Sequence, residues 1–161
     1  MAIYENPKYF KGPIPNRITA RVKDGFTWQA GQFCRRTGSG VVPCKSVATA
    51  VHGTFATTRA TASSSTDAVI DLIPSRETQY IMYATSGGTD AKVGVANIGK
   101  NVALAVNTSI CSASTGGQTD AKSALHIEGI YGDVETRTDT STAPGVYIVS
   151  VRSSFIEAAG L

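Results

Sequence analysis

The 161-residue sequence predicts an all-β fold: a single barrel or sandwich domain of short antiparallel strands, preceded by an extended N-terminal arm. Three observations predict it. No segment sustains a 3.6-residue hydrophobic period, so no long amphipathic helix is indicated. Short runs rich in Val, Ile, Thr and Tyr recur between turn signals, the pattern of a barrel or sandwich. Only 17% of residues are charged in a chain rich in Thr, Ser, Ala and Gly, which suits pleated surfaces joined by polar turns.

Residues 1–15 read as the arm and 16–161 as the β domain. Pro7, Pro13 and Pro15 withhold backbone donors and favour extended geometry, while Tyr4, Tyr9, Phe10 and Ile14 are too apolar for an idle tail. Such a segment needs a surface, either on a partner or on its own domain. Ile18, Ala20 and Val22 then alternate with Thr19 and Arg21, and Lys23-Asp24-Gly25 turns the chain. Phe26-Thr27-Trp28 begins a short strand. Residues 32–37 and 41–44 predict a hairpin around Gly38-Ser39-Gly40, and 47–61 a further strand.

Ser63-Ser64-Ser65-Thr66-Asp67 reads as a polar loop. Val69-Ile70-Asp71-Leu72-Ile73 and Tyr80-Ile81-Met82-Tyr83 are bounded apolar runs of buried-strand type, and 102–106, 123–131 and 146–152 complete the set. Period-two spacing puts Leu125, Ile127 and Tyr131 on one face of their strand, and Tyr147, Val149 and Val151 on one face of theirs. Residues 90–99 alone could hold a short helix. Thr-Asp-Ala occurs at 66–68, 89–91 and 119–121, but unequal spacing argues against a solenoid repeat.

The net charge of +3 is small and the basic residues are scattered, so the concentrated patch of a nucleic-acid binder is missing. Met1-Ala2-Ile3-Tyr4-Glu5 lacks the basic and apolar regions of a signal peptide, and no run of eighteen apolar residues occurs. These features predict assembly in a cytoplasm, with neither nucleic acid nor membrane as partner.

Catalytic and metal signatures are weak. His52 and His126 are the only histidines, and no Gly-x-Ser-x-Gly elbow accompanies them. His126 lies opposite the Leu125/Ile127 face, beside Glu128, which predicts a solvent-facing side chain. Cys34, Cys44, Cys111 and His52 could supply zinc ligands, but no two cysteines lie two to four residues apart. With Ser39 at the hairpin apex, Cys34 and Cys44 would sit directly opposite each other; in a reducing cytoplasm they are expected to stay thiols. Thr37-Gly38-Ser39-Gly40 lacks the Lys-Ser/Thr of a phosphate loop, and Asn107-Thr108-Ser109 is a glycosylation sequon without a secretion signal. No enzyme, cofactor or metal is expected.

Several stretches taken together resemble the small capsid-decorating (cement) proteins of tailed phages. They are Gly31-Gln32-Phe33 with Val41-Val42-Pro43-Cys44, Ala96-Asn97-Ile98-Gly99-Lys100-Asn101-Val102-Ala103-Leu104, Leu125-His126-Ile127-Glu128-Gly129-Ile130-Tyr131, and Val146-Tyr147-Ile148-Val149-Ser150-Val151-Arg152. The resemblance spans residues 26–155 in loose outline and departs at Ser153-Ser154-Phe155-Ile156 and the apolar tail. It implies a structural protein of the virion exterior that binds the major capsid protein and stabilises the head, as a homo-oligomer with the trimer favoured. An arm would then make the partner contacts through Tyr4, Pro7, Lys8, Tyr9, Phe10 and Lys11, aromatics anchoring and lysines pairing with acidic rim residues. A carbohydrate- or receptor-binding β domain, or a tail-tube component, is the competing expectation.

Overall fold

A computed structural model describes residues 5–61, 66–86, 89–90, 97–116, 119–131 and 145–157. Its strands are β1 (Lys8–Lys11), β2 (Asn16–Val22), β3 (Phe33–Thr37), β4 (Gly40–Pro43), β5 (Gly53–Phe55) and β6 (Thr66–Leu72). They continue with β7 (Gln79–Ser86), β8 (Thr89–Asp90), β9 (Asn101–Asn107), β10 (Ile110–Ser114), β11 (Leu125–Ile130) and β12 (Val146–Val151). The fold is all-β. It comprises a closed barrel and a second sheet.

The barrel runs β2-β4-β3-β5-β6. β2 and β6 pair antiparallel from Asn16↔Leu72 to Val22↔Thr66. Alternation turns Val22, Ala68, Ile70 and Leu72 inward, and leaves Arg17–Asp71 and Arg21–Asp67 as cross-strand ion pairs outside, at 2.8 and 2.7 Å. Trp28 stacks on Phe55 inside, with ring centroids 4.8 Å apart, over Cys34 and Val41. The expected strand at 26–28 is reduced to a single Trp28↔Arg59 bridge, because Trp28 serves as core rather than as ladder.

The hairpin between β3 and β4 turns on Gly38-Ser39, with Thr37↔Gly40 as its last pair. Cys34 therefore faces Pro43, and the expected Cys34–Cys44 pair does not form. The loop is one residue tighter than expected, and a one-residue slip sends a side chain to the other face. Cys34 enters the barrel core, while Cys44 enters the core of the second sheet.

That sheet runs β1-β7-β10-β9-β11-β12, and an added β7–β12 pairing closes β7-β10-β9-β11-β12 into a ring, with β1 and β8 appended to β7. Tyr80, Met82, Leu104, Cys111, Leu125 and Tyr147 fill it, and Phe33, Val51 and Ile73 from the barrel side share the same core. Phe33 meets Tyr80 edge-on at 5.5 Å. Tyr147, Val149 and Val151 all point inward, as their spacing predicts.

Three further expectations change. Of residues 47–61 only Gly53–Phe55 is a strand; the loop before it instead docks on β9, where Val47 N–H donates to the Leu104 carbonyl at 2.7 Å. In the 90–99 stretch Asp90 ends β8, residues 91–96 lie outside the described residues, and Asn97–Gly99 make a turn whose Gly99 N–H donates to Ile127. Finally, β10 has no counterpart in the sequence reading, since Ile110-Cys111-Ser112-Ala113-Ser114 carries little hydrophobic contrast.

Candidate partner-binding surface

The N-terminal segment is built into the domain from Asn6 onward. Asn6 is buried, and its Nδ2 donates to the Ser109 carbonyl while its Oδ1 accepts from Cys111 N–H, each at 2.8 Å. Pro7 is buried too, and its carbonyl lies so near Gly31 that a Cβ there would stand 2.7 Å from it. β1 then pairs antiparallel with β7 through Lys8↔Ile81, Tyr9↔Tyr80 and Lys11↔Gln79. The segment read as an arm is thus laid on its own domain from residue 6 through 11. Asn6 and Pro7 anchor that docking, and β1 pairs its backbone groups with those of β7.

Of the residues expected to meet a partner, Tyr4 lies outside the described residues and Pro7 faces inward. Lys8, Tyr9, Phe10 and Lys11 remain exposed on β1, whose neighbour among the described residues is β7 alone. Lys8 forms an ion pair with Glu5 at 2.5 Å, and that hydrogen bond and charge raise its pKa. Tyr9 hydroxyl donates to the Gly12 carbonyl at 2.6 Å. Phe10 packs edge-on against Tyr131 at 5.7 Å, with both rings still about two-fifths open to solvent.

Tyr131 was expected on the inward face with Leu125 and Ile127. The register of β11 against β12 shifts between Ile127 and Gly129, a bulge that carries Glu128 as the extra residue. Beyond it the parity inverts. Ile130 packs on the core and Tyr131 comes to the surface. Lys8, Ile81, Ile148 and Gly129 form one cross-strand row on that outward face, so the two rings lie at the end of a half-buried apolar strip. Sequence reasoning missed Ile81, Ile148 and Tyr131 here. Each belongs to a run that looks wholly apolar, and only the pairings tell which of its residues face out.

The histidines are separated. His52 is buried beside β5, its Nδ1 has no hydrogen-bond partner, and burial lowers its pKa, with Arg36 adding to the effect and Glu157 opposing it. His126 sits half-exposed on β11, its Nδ1 2.8 Å from Asn101 Oδ1. All three cysteines are buried free thiols. Burial drives each thiol pKa upward, that of Cys111 to about 12. Among the described residues no three His, Cys, Asp or Glu side chains are grouped to hold a metal ion, and no helix is long and apolar enough to cross a membrane.

Comparison of the chain with protein-family profiles, curated proteins and solved structures finds no match in any of the three.

Proposed function

We propose that this protein is a structural component of a tailed-phage virion that binds the outside of the capsid and holds major capsid protein subunits together, acting as a homo-oligomer, with the trimer favoured. The observation that supports this reading is the Phe10–Tyr131 pair standing in solvent beside β1, which has one edge without a described partner strand. An open edge accepts an added strand through main-chain hydrogen bonds, and flanking aromatics give such a contact its anchor. Covering the exposed part of each ring removes roughly 80 Å² from water, about 2 kcal/mol per ring before the costs of association. Lys8 and Lys11 at the rim add specificity and little energy. Repetition over a symmetric shell then raises the effective concentration of every contact.

Removing residues 1–12 does not test the reading, because Asn6 and β1 are part of the sheet. The test is Phe10→Asp with Tyr131→Asp, with circular dichroism confirming that the variant stays folded. Purified wild-type protein is expected to co-sediment saturably with mature heads of the virus that encodes it, and the double variant to remain in the supernatant. Equal sedimentation of both proteins, or of neither, overturns the proposal.

A further inference from the structure

The next outward-facing row of the same sheet is polar. Asn101 of β9, His126 of β11 and Ser150 of β12 stand side by side in register. They line a basin of about 340 Å³ with Arg76, Glu128, Arg152, Ser153 and Ser154, a volume at the small end of ligand sites, which run from about 300 to 1,000 Å³.

Asn101, His126, Glu128, Ser150 and Arg152 are held by hydrogen bonds before anything binds. Asn101 Nδ2 donates to Asp120 Oδ1 at 2.9 Å, which turns its Oδ1 toward His126. That oxygen can only accept, so His126 carries its proton on Nδ1, and in the neutral ring Nε2 is left as an acceptor. Arg152 is fixed by Asp120, through its carboxylate and carbonyl, and by the Ser123 carbonyl. Glu128 shares the outward face of β11 with His126; one carboxylate oxygen accepts from Ser150 Oγ at 2.6 Å, and the other has no hydrogen-bond partner among the described residues.

We propose that this basin binds a neutral polyhydroxyl ligand, one sugar unit of a glycan. The charges balance: Arg152 is matched by Asp120, and the other two charged groups lining the basin, Arg76 and Glu128, are of opposite sign. A phosphate or carboxylate would meet Glu128, and an ammonium ion would meet Arg76. A sugar hydroxyl both donates and accepts, so a ring bearing several can satisfy Arg76, the open oxygen of Glu128, His126 Nε2 and the serine hydroxyls together. Because Asn101, His126, Ser150 and Arg152 are already held, little side-chain entropy is lost at these residues on binding. The inference is independent of the capsid reading.

Ligand-observed saturation-transfer NMR on the full chain tests it, with glucose, galactose, mannose and N-acetylglucosamine as probes, supported by a glycan array. Transfer is expected to at least one sugar and to survive added inorganic phosphate. Arg76→Ala and His126→Ala are expected to weaken it about tenfold each, as loss of a hydrogen bond to a charged or fixed group does. Both residues are at the surface, and circular dichroism checks that the variants stay folded. Lys23→Ala, an exposed position outside the basin, serves as a control that leaves it unchanged. Silence from all four sugars and the array, displacement by phosphate, or undiminished binding in folded variants overturns the proposal.

Discussion

Replacing Asn6 with Ala tests whether the N-terminal segment belongs to the fold. Asn6 is 8% exposed and makes two hydrogen bonds of 2.8 Å, one to the Ser109 carbonyl and one from the N–H of the fully buried Cys111. Alanine leaves that N–H in the interior without an acceptor, which costs about 1–3 kcal/mol, and the half-exposed Ser109 carbonyl adds a smaller loss, for a total of roughly 2–4 kcal/mol. Since a domain has about 5–15 kcal/mol in hand, the variant should fold, but with a urea midpoint lower by roughly 1–2 M at a typical slope near 2 kcal/mol per M. Hydrogen exchange supplies the local readout: amides of Lys8–Lys11 and their β7 partners Gln79–Ile81 should lose protection first. A midpoint unmoved by the substitution, with β1 amides already unprotected in the wild type, would falsify the docking described for this segment and return it to a free arm.

The buried thiols of Cys34, Cys44 and Cys111 have pKa values raised by desolvation, so a thiol reagent at neutral pH should label none in the native protein and all three in denaturant; prompt native labelling contradicts their placement. Two glycines in one hairpin should respond differently to Ala. At Gly40 φ is 142° and a Cβ would stand 2.2 Å from the Arg21 carbonyl, while at Gly38 nothing lies within 4 Å; thermal unfolding should show a loss of about 1–3 kcal/mol for Gly40→Ala only. His52 has a lowered pKa in the folded state, so its neutral form is favoured there and the unfolded chain binds its proton first as pH falls. Stability attributable to His52 is therefore present above about pH 6.5 and declines as pH drops from there through the folded pKa; against His52→Gln, the wild type should lose ground over that window, and parallel pH profiles would contradict the burial.

Much of the strand set can be read from local pattern. Tyr147, Val149 and Val151 alternate so cleanly that their inward face needs no structure to find it, because one buried face of a strand admits only period two. The basic-acidic partnership of β2 with β6 is another matter. Arg17 and Asp71 are unremarkable singly, and only their register makes a pair. The candidate surface was half visible. Tyr9 and Phe10 signal themselves as aromatics in a proline-rich stretch, whereas Tyr131 looks like core until the bulge at Glu128 inverts its parity.

Taken alone, the amino-acid sequence determined that this protein is all-β, and that the runs at 69–72, 80–83, 102–106, 125–130 and 146–151 are strands. Composition and period act within a few residues, so they need no knowledge of distant partners. Tertiary structure decided what depends on pairing: the laying of β1 on β7, the Gly38-Ser39 register that sends Cys34 and Cys44 to different cores, and the gathering of Asn101, His126 and Ser150 into one row. A single inserted or skipped residue reverses which face of a strand meets water, and nothing short of the hydrogen-bonded partner fixes that count.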